Sequence, residues 1–103
     1  MIGRLWRGAT ALEDAESYER FLAQDLLPGL GGLDGYRGAY VLKRDTGEEV
    51  EFVTLTLFDS MDAVRAFAGP EPERPVIEPE ARRLLSRIGE RVEHLEVALS
   101  PES

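Results

Sequence analysis

One imidazole, one indole, one guanidinium and a pair of hydroxyls carry most of the chemistry open to this chain. His94 is the only histidine in 103 residues. An imidazole with an ordinary pKa of about 6.5 accepts and returns protons at neutral pH. In the stretch Arg91 to Leu99 it alternates with Leu95, Val97 and Leu99, sharing its side with Val92 and Glu96. A cavity general base is one role for it; a hydrogen-bonded histidine at an interface is the plainer one. Trp6 is the only tryptophan and offers either a flat wall for a planar ligand or packing area. Arg4 alternates onto the side of Trp6, where a guanidinium attracts an anion or pairs with Glu96. Thr54 and Thr56 interrupt an otherwise apolar run. Their hydroxyls can polarise a ligand oxygen, or they are simply β-branched strand formers. Tyr40 supplies a phenolic donor or interface packing.

Other constellations lead nowhere. With no cysteine, disulfides, thiolate metal sites and cysteine nucleophiles are excluded. One histidine makes a metal site only with carboxylate help; Glu96 is the single candidate on its face, and a haem-ligand role for His94 is the remaining metal alternative. Glu48, Glu49 and Glu51 flank a hairpin and read as solvent-facing, as do Arg82 and Arg83 on a late helix. Gly29, Gly31, Gly32 and Gly35 follow a helix, not a strand, and Asp34 stands where a dinucleotide fingerprint needs its third glycine.

The elements that must position these groups follow from periodicity. Ile2 to Gly8 reads as a first strand. Thr10-Ala11-Leu12-Glu13 matches a capping box, opening a helix with Ala15, Tyr18, Leu22 and Leu26 on one face. Pro28-Gly29 is expected to stop it. Tyr36 to Arg44 and Glu49 to Phe58 form a hairpin through Asp45-Thr46-Gly47-Glu48. Ser60 caps a helix carrying Met61, Val64, Phe67 and Ala68, closed by Gly69-Pro70. Prolines 70, 72, 75 and 79 imply an irregular crossing loop. Pro79 opens a short helix through Leu84, Leu85 and Ile88, and Arg91 to Leu99 alternates as the last strand.

The order β-α-β-β-α-β is the split βαβ unit. It predicts one α+β domain over residues 1–103, a ferredoxin-like four-stranded antiparallel sheet with both helices on one face. Val53, Leu55, Leu57, Leu95, Val97 and Leu99 are expected to meet the helices. The other face, with Trp6, Phe52, Phe58 and Tyr40, is expected to be covered by a second copy, giving a homodimer with a cavity between the sheets.

Charge narrows the partners. The net charge of −8 provides no basic footprint for nucleic acid or for an anionic membrane surface. No apolar run approaches the roughly 18 residues of a membrane span. Lacking cysteine and a secretory signal, the chain is expected in the cytoplasm.

The opening Met1 to Gly8, the strand Glu51 to Phe58 with Asp59-Ser60, Ala63 to Gly69 and the closing Val92 to Val97 resemble the antibiotic biosynthesis monooxygenase (ABM)-like group of the dimeric α+β barrel superfamily. The resemblance spans nearly the whole chain. It implies a homodimer with a pocket in each protomer. It also implies activities that range over cofactor-independent oxygenases of polyketide quinones, haem degraders and isomerases. Those oxidative relatives commonly set an asparagine near an active-site tryptophan; this chain has no asparagine, and Trp6 lies on the first strand. Two classes stay open. One is an enzyme needing no cofactor, with His94 as general base on a small aromatic or polyketide-like molecule. There Trp6, Arg4, Tyr40, Thr54 and Thr56 bind the ligand, and the product is that of a monooxygenase or an isomerase. The other is a non-catalytic small-molecule-binding or structural homodimer.

Overall fold

A computed structural model describes residues 1–101. Strand β1 covers Ile2–Ala11 and is longer than its apolar alternation implies. Thr10 is therefore not a helix cap. It sits wholly buried in the ladder, between Val50 on one side and Leu85 on the other. A 3-10 turn, Leu12–Asp14, follows from an extended Ala11 without any side-chain cap.

Helix α1 (Ala15–Phe21) continues through a π turn (Leu22–Leu26) into α2 (Leu27–Leu30). Pro28 does not stop the helix, as the sequence suggests it should. Proline has no N–H to return to the carbonyl four residues back. Just ahead of it the ladder widens, with the Leu27 N–H bonded to the Leu22 carbonyl. Such single π turns absorb a local mismatch inside an otherwise regular helix.

Strands β2 (Tyr36–Asp45) and β3 (Glu49–Phe58) form the expected hairpin. Asp45 Oδ1 accepts the Gly47 N–H at 2.7 Å, and Gly47 takes a φ of +91° that closes the turn. Helix α3 (Met61–Ala68) begins where Ser60 Oγ accepts the Ala63 N–H, and Gly69 ends it with a positive φ. The crossing loop runs irregularly to α4 (Pro79–Leu84).

Helix α4 was expected to reach Ile88 but stops at Leu84. Leu85–Ile88 is instead strand β4, and β5 is only Glu93–Glu96. Both lie on the same edge of β1: β4 beside Gly8 to Thr10, β5 beside Ile2 to Leu5. Two leucines and an isoleucine at helical spacing suit a short strand equally well. The open ladder edge of β1 decides between the two. The sheet order is β2-β3-β1, with β4 and β5 sharing the far side, and every pairing is antiparallel. The expected four strands are thus five, because Leu85–Ile88, expected as helix, adds a strand beside β1.

The register separates the faces. Trp6 lies opposite Thr54, and Arg4 lies opposite Thr56 and, on its other side, His94. These residues share a face with Phe52 and Phe58, both fully buried. The helices cover that face, so the expected assignment of faces is inverted. Tyr18, Phe21 and Leu22 of the long helix and Ala81 and Leu84 of α4 pack on Val50 and Phe52. Tyr18 meets Phe52 edge-on at 4.8 Å, and Phe67 of α3 stacks on Phe58 at 5.8 Å. The uncovered face carries Val53, Leu55 and Leu57, half-buried, with Tyr40, Leu42 and Leu95 each more than half exposed. Leu99 lies beyond the last strand, almost fully exposed. Alternation identifies two faces but does not say which one helices reach. Three rings, at positions 6, 52 and 58, give the bulkier surface, and the helical aromatics interdigitate with it.

Candidate functional site

Between the two packed ends of this core the helices stand off from the sheet. The gap is lined by Arg4 and Trp6 of β1, Thr54 and Thr56 of β3, and Tyr18, Leu22, Leu26, Leu27 and Leu30 of the long helix. Phe67, Val92 and the loop residues Pro75 to Glu78 complete it. A water-sized sphere can move its centre through about 80 Å³ there. At roughly 10–15 Å³ per water on that measure, the gap holds roughly five to eight waters, or one six-membered ring.

Four of the six residues expected at a site meet in this gap: Arg4, Trp6, Thr54 and Thr56. The indole of Trp6 lies back across Gly8, and its Nε1 donates to the Gly89 carbonyl at 2.8 Å. A Cβ on Gly8 would come within 2.4 Å of the ring, and one on Gly89 within 2.2 Å of the Arg7 carbonyl oxygen. The two glycines therefore form a slot that holds the ring flat against the sheet.

Arg4 is only 5% exposed and is the one buried charged side chain among the described residues. Nη1 donates to the Pro72 carbonyl at 2.6 Å, and Nη2 to that of Arg74 at 3.1 Å. Nη1 also lies 2.9 Å from His94 Nε2. The guanidinium sits 5.7 Å from the centre of the Phe67 ring. No carboxylate comes within ion-pair distance among the described residues; Glu96, the expected partner, is opposite Ile2 and exposed. Burial lowers the pKa of Arg4, and the field of Glu73 partly offsets this.

His94 stands beside Arg4 at the edge of the site and is not part of the cavity wall. Arginine can only donate, so Nε2 accepts and the ring proton is on Nδ1. Burial, and then the charge of Arg4, hold the imidazole pKa below its usual value. The ring is neutral at pH 7. Thr56 Oγ1 donates to the Arg4 carbonyl at 3.3 Å, while the Thr54 hydroxyl has no hydrogen-bond partner among the described residues. Tyr40 points to the opposite, uncovered face.

The structure adds residues that the pattern did not single out. Tyr18, read only as helix core, lines the cavity, and burial pushes its phenol up to about 12, so it remains a donor. Gly8 and Gly89 position Trp6. A glycine two residues from a tryptophan within one strand was the available signal for Gly8. The carbonyls of Pro72 and Arg74 leave no trace in a sequence. No group of three or more histidine, acidic or cysteine side chains among the described residues could hold a metal ion. No helix among them is long and apolar enough to cross a membrane.

No family model and no curated protein matches this sequence. Solved structures do. A putative antibiotic biosynthesis monooxygenase from Deinococcus radiodurans is 13% identical, with a TM-score of 0.65 over 97% of this chain and 95% of its own. The haem-degrader MhuD from Mycobacterium tuberculosis, solved with two haems bound in its active site, is 21% identical, with a TM-score of 0.59 over 97% and 98%. At such identities the likeness is one of fold. The chain has the ferredoxin-like α+β fold of the ABM-like proteins, as its sequence resemblance implies.

Proposed function

We propose that this protein binds a small, planar, acidic molecule between its sheet and its long helix and moves a proton on it without a cofactor. The observation that carries this reading is the meeting of Arg4, Trp6, Thr54 and Thr56 around one cavity. Trp6 supplies the flat wall. Arg4 and the threonine hydroxyls steady the anion left when the ligand loses a proton. His94 is the acceptor. Its neutral ring is the basic form, and Nε2 becomes free to take the proton when the incoming ligand turns the Arg4 guanidinium away from it. The anion then takes the proton back at another position, as in an isomerase, or reacts with dissolved oxygen, as in a cofactor-independent monooxygenase. Loop residues Pro75 to Glu78 form part of the wall.

A haem does not fit these residues. The cavity has room for about one ring, and the only imidazole is turned to Arg4 and away from the cavity wall. A second reading, a binding protein without catalysis, is favoured by that same His94–Arg4 bond, because a base already engaged transfers no proton. Proton exchange in D2O separates the two. Monocyclic 1,3-diketones and hydroquinones incubated with the protein should lose their acidic C–H signals faster than in buffer, and His94→Gln should abolish the acceleration. Exchange no faster than buffer across such a panel leaves only binding. An oxygen electrode read on the same samples distinguishes oxygenation from isomerisation.

The uncovered sheet face supports a homodimer. Tyr40, Leu42 and Leu95 around Val53, Leu55 and Leu57 form an apolar patch of the kind that seldom stays in water. A light-scattering mass near twice 11.5 kDa is expected; a mass near 11.5 kDa would remove the dimer.

A further inference from the structure

We propose that the ligand class of this cavity is a monocyclic carboxylate, gripped end-on by Arg4; the inference rests on the reading of the cavity as a ligand site. The first ground is charge. A buried ion costs several kcal/mol unless an opposite charge meets it. This chain has 20 acidic residues against 12 basic ones, so carboxylates are not scarce. Eight other basic side chains are paired with acids on the surface, Arg37 with Asp59 among them. The one buried guanidinium has none. Among the described residues no carboxylate pairs with it, and a bound molecule would supply the counter-charge.

The second ground is the number of donors. A guanidinium has five N–H groups. Pro72, Arg74 and His94 take three, which leaves the Nε–H and one on Nη2. Nε and Nη2 border one edge of the guanidinium. On Arg37 that pair of atoms grips both oxygens of Asp59, at 2.5 and 2.9 Å. Two donors match the two oxygens of a carboxylate; a phenolate or enolate presents one. A phosphate would bring more oxygens and more charge than a single cation can balance.

The third ground is size and wall chemistry. The gap takes about one ring, and its lining includes Trp6, Phe67, Leu22, Leu26 and Leu27. Fused polycyclic molecules exceed it.

The test uses the single tryptophan as its reporter. The full chain is titrated with benzoate, benzamide, phenyl phosphate and 2-naphthoate while Trp6 emission is read. Benzoate should bind at least tenfold more tightly than the other three. In Arg4→Gln the preference over benzamide should vanish. Equal affinity for benzoate and benzamide in the unaltered protein overturns the carboxylate assignment and leaves the cavity reading intact. Tighter binding of 2-naphthoate overturns the single ring, and tighter phenyl phosphate the carboxylate. A benzoate preference that survives Arg4→Gln removes Arg4. If no probe changes Trp6 emission or the amide spectrum at millimolar concentration, the cavity reading falls and the carboxylate with it. Should Arg4→Gln fail to fold, the comparison of probes on the unaltered chain still decides the ligand class.

Discussion

Adding one methyl group at Gly8 should dislodge the Trp6 ring. The backbone there is ordinary strand, so alanine meets no conformational barrier; the obstacle is the indole, 2.4 Å from the new Cβ at its nearest atom and 3.0–3.1 Å at two others. Trp6 is 8% exposed, and its Nε1 bond to Gly89 pins it in that position. Forcing a group into a packed core costs about 1–3 kcal/mol. Breaking the indole bond adds about 0.5–1.5 kcal/mol. Replacing a strand glycine returns roughly 0.5–1 kcal/mol through the unfolded chain. The balance is a loss of about 2 kcal/mol. For a domain near this length each kcal/mol moves Tm by roughly 4–8 °C, so Gly8→Ala should melt roughly 8–16 °C lower. Circular dichroism follows the melt. Trp6 emission, expected to be blue in the intact protein because the ring is buried, should shift to the red before unfolding. Gly29→Ala serves as the control, because nothing lies within 4 Å of a Cβ there and the site is helical; it should melt no lower. If Gly8→Ala melts as high as the unaltered chain with unchanged emission, the ring does not occupy the slot and the geometry of the cavity wall is wrong.

Acid should weaken the fold through His94. Its folded pKa lies below the ordinary value of about 6.5, so folding favours the neutral ring. The stability it contributes is complete above about pH 6.5 and is lost as pH falls through the folded value. Being the only histidine, it can be titrated by NMR without overlap, and removing the charge in Arg4→Met should move its midpoint upward; an unmoved midpoint would exclude Arg4 as a cause. Phe52→Ala, at a fully buried ring against Tyr18, should cost about 3–5 kcal/mol in urea unfolding, and a loss under 1 kcal/mol would contradict the core described here. Ser60→Ala should cost about 1 kcal/mol on the same measure, through the lost cap on α3. Leu95→Glu places a charge on the uncovered sheet face and should halve the light-scattering mass without lowering the helical signal, whereas an intact dimer would move the interface elsewhere.

Local signals were legible wherever a short-range rule acts alone. The hairpin at Asp45 to Glu48, the cap at Ser60, the stop at Gly69 and the start of α4 at Pro79 are all where turn and capping chemistry put them. The failures fall where a neighbouring strand competes with a local rule. Thr10 is a sound cap by type, yet the ladder to Val50 holds it in β1. Leu85 and Ile88 continue a helical spacing, yet the free edge of β1 takes them as strand. Pro28 should end a helix, yet a widened turn lets it pass.

The site shows the same division. Alternation, with the strand pairing that the predicted topology demands, put Arg4, Trp6, Thr54, Thr56 and His94 on one face of a sheet, because a strand has a period of two. It did not separate Tyr40, which was expected on the same face; only the observed β2 register puts it on the other. Only the tertiary structure decided that helices, not a second sheet, cover that face. Only packing could leave a gap there the size of one ring, and only a loop folding back from sixty-eight residues away could put the Pro72 carbonyl on Arg4. The sequence determines which side chains can reach a common surface; long-range packing determines what surrounds them, and a buried arginine without a carboxylate is a property of the surroundings.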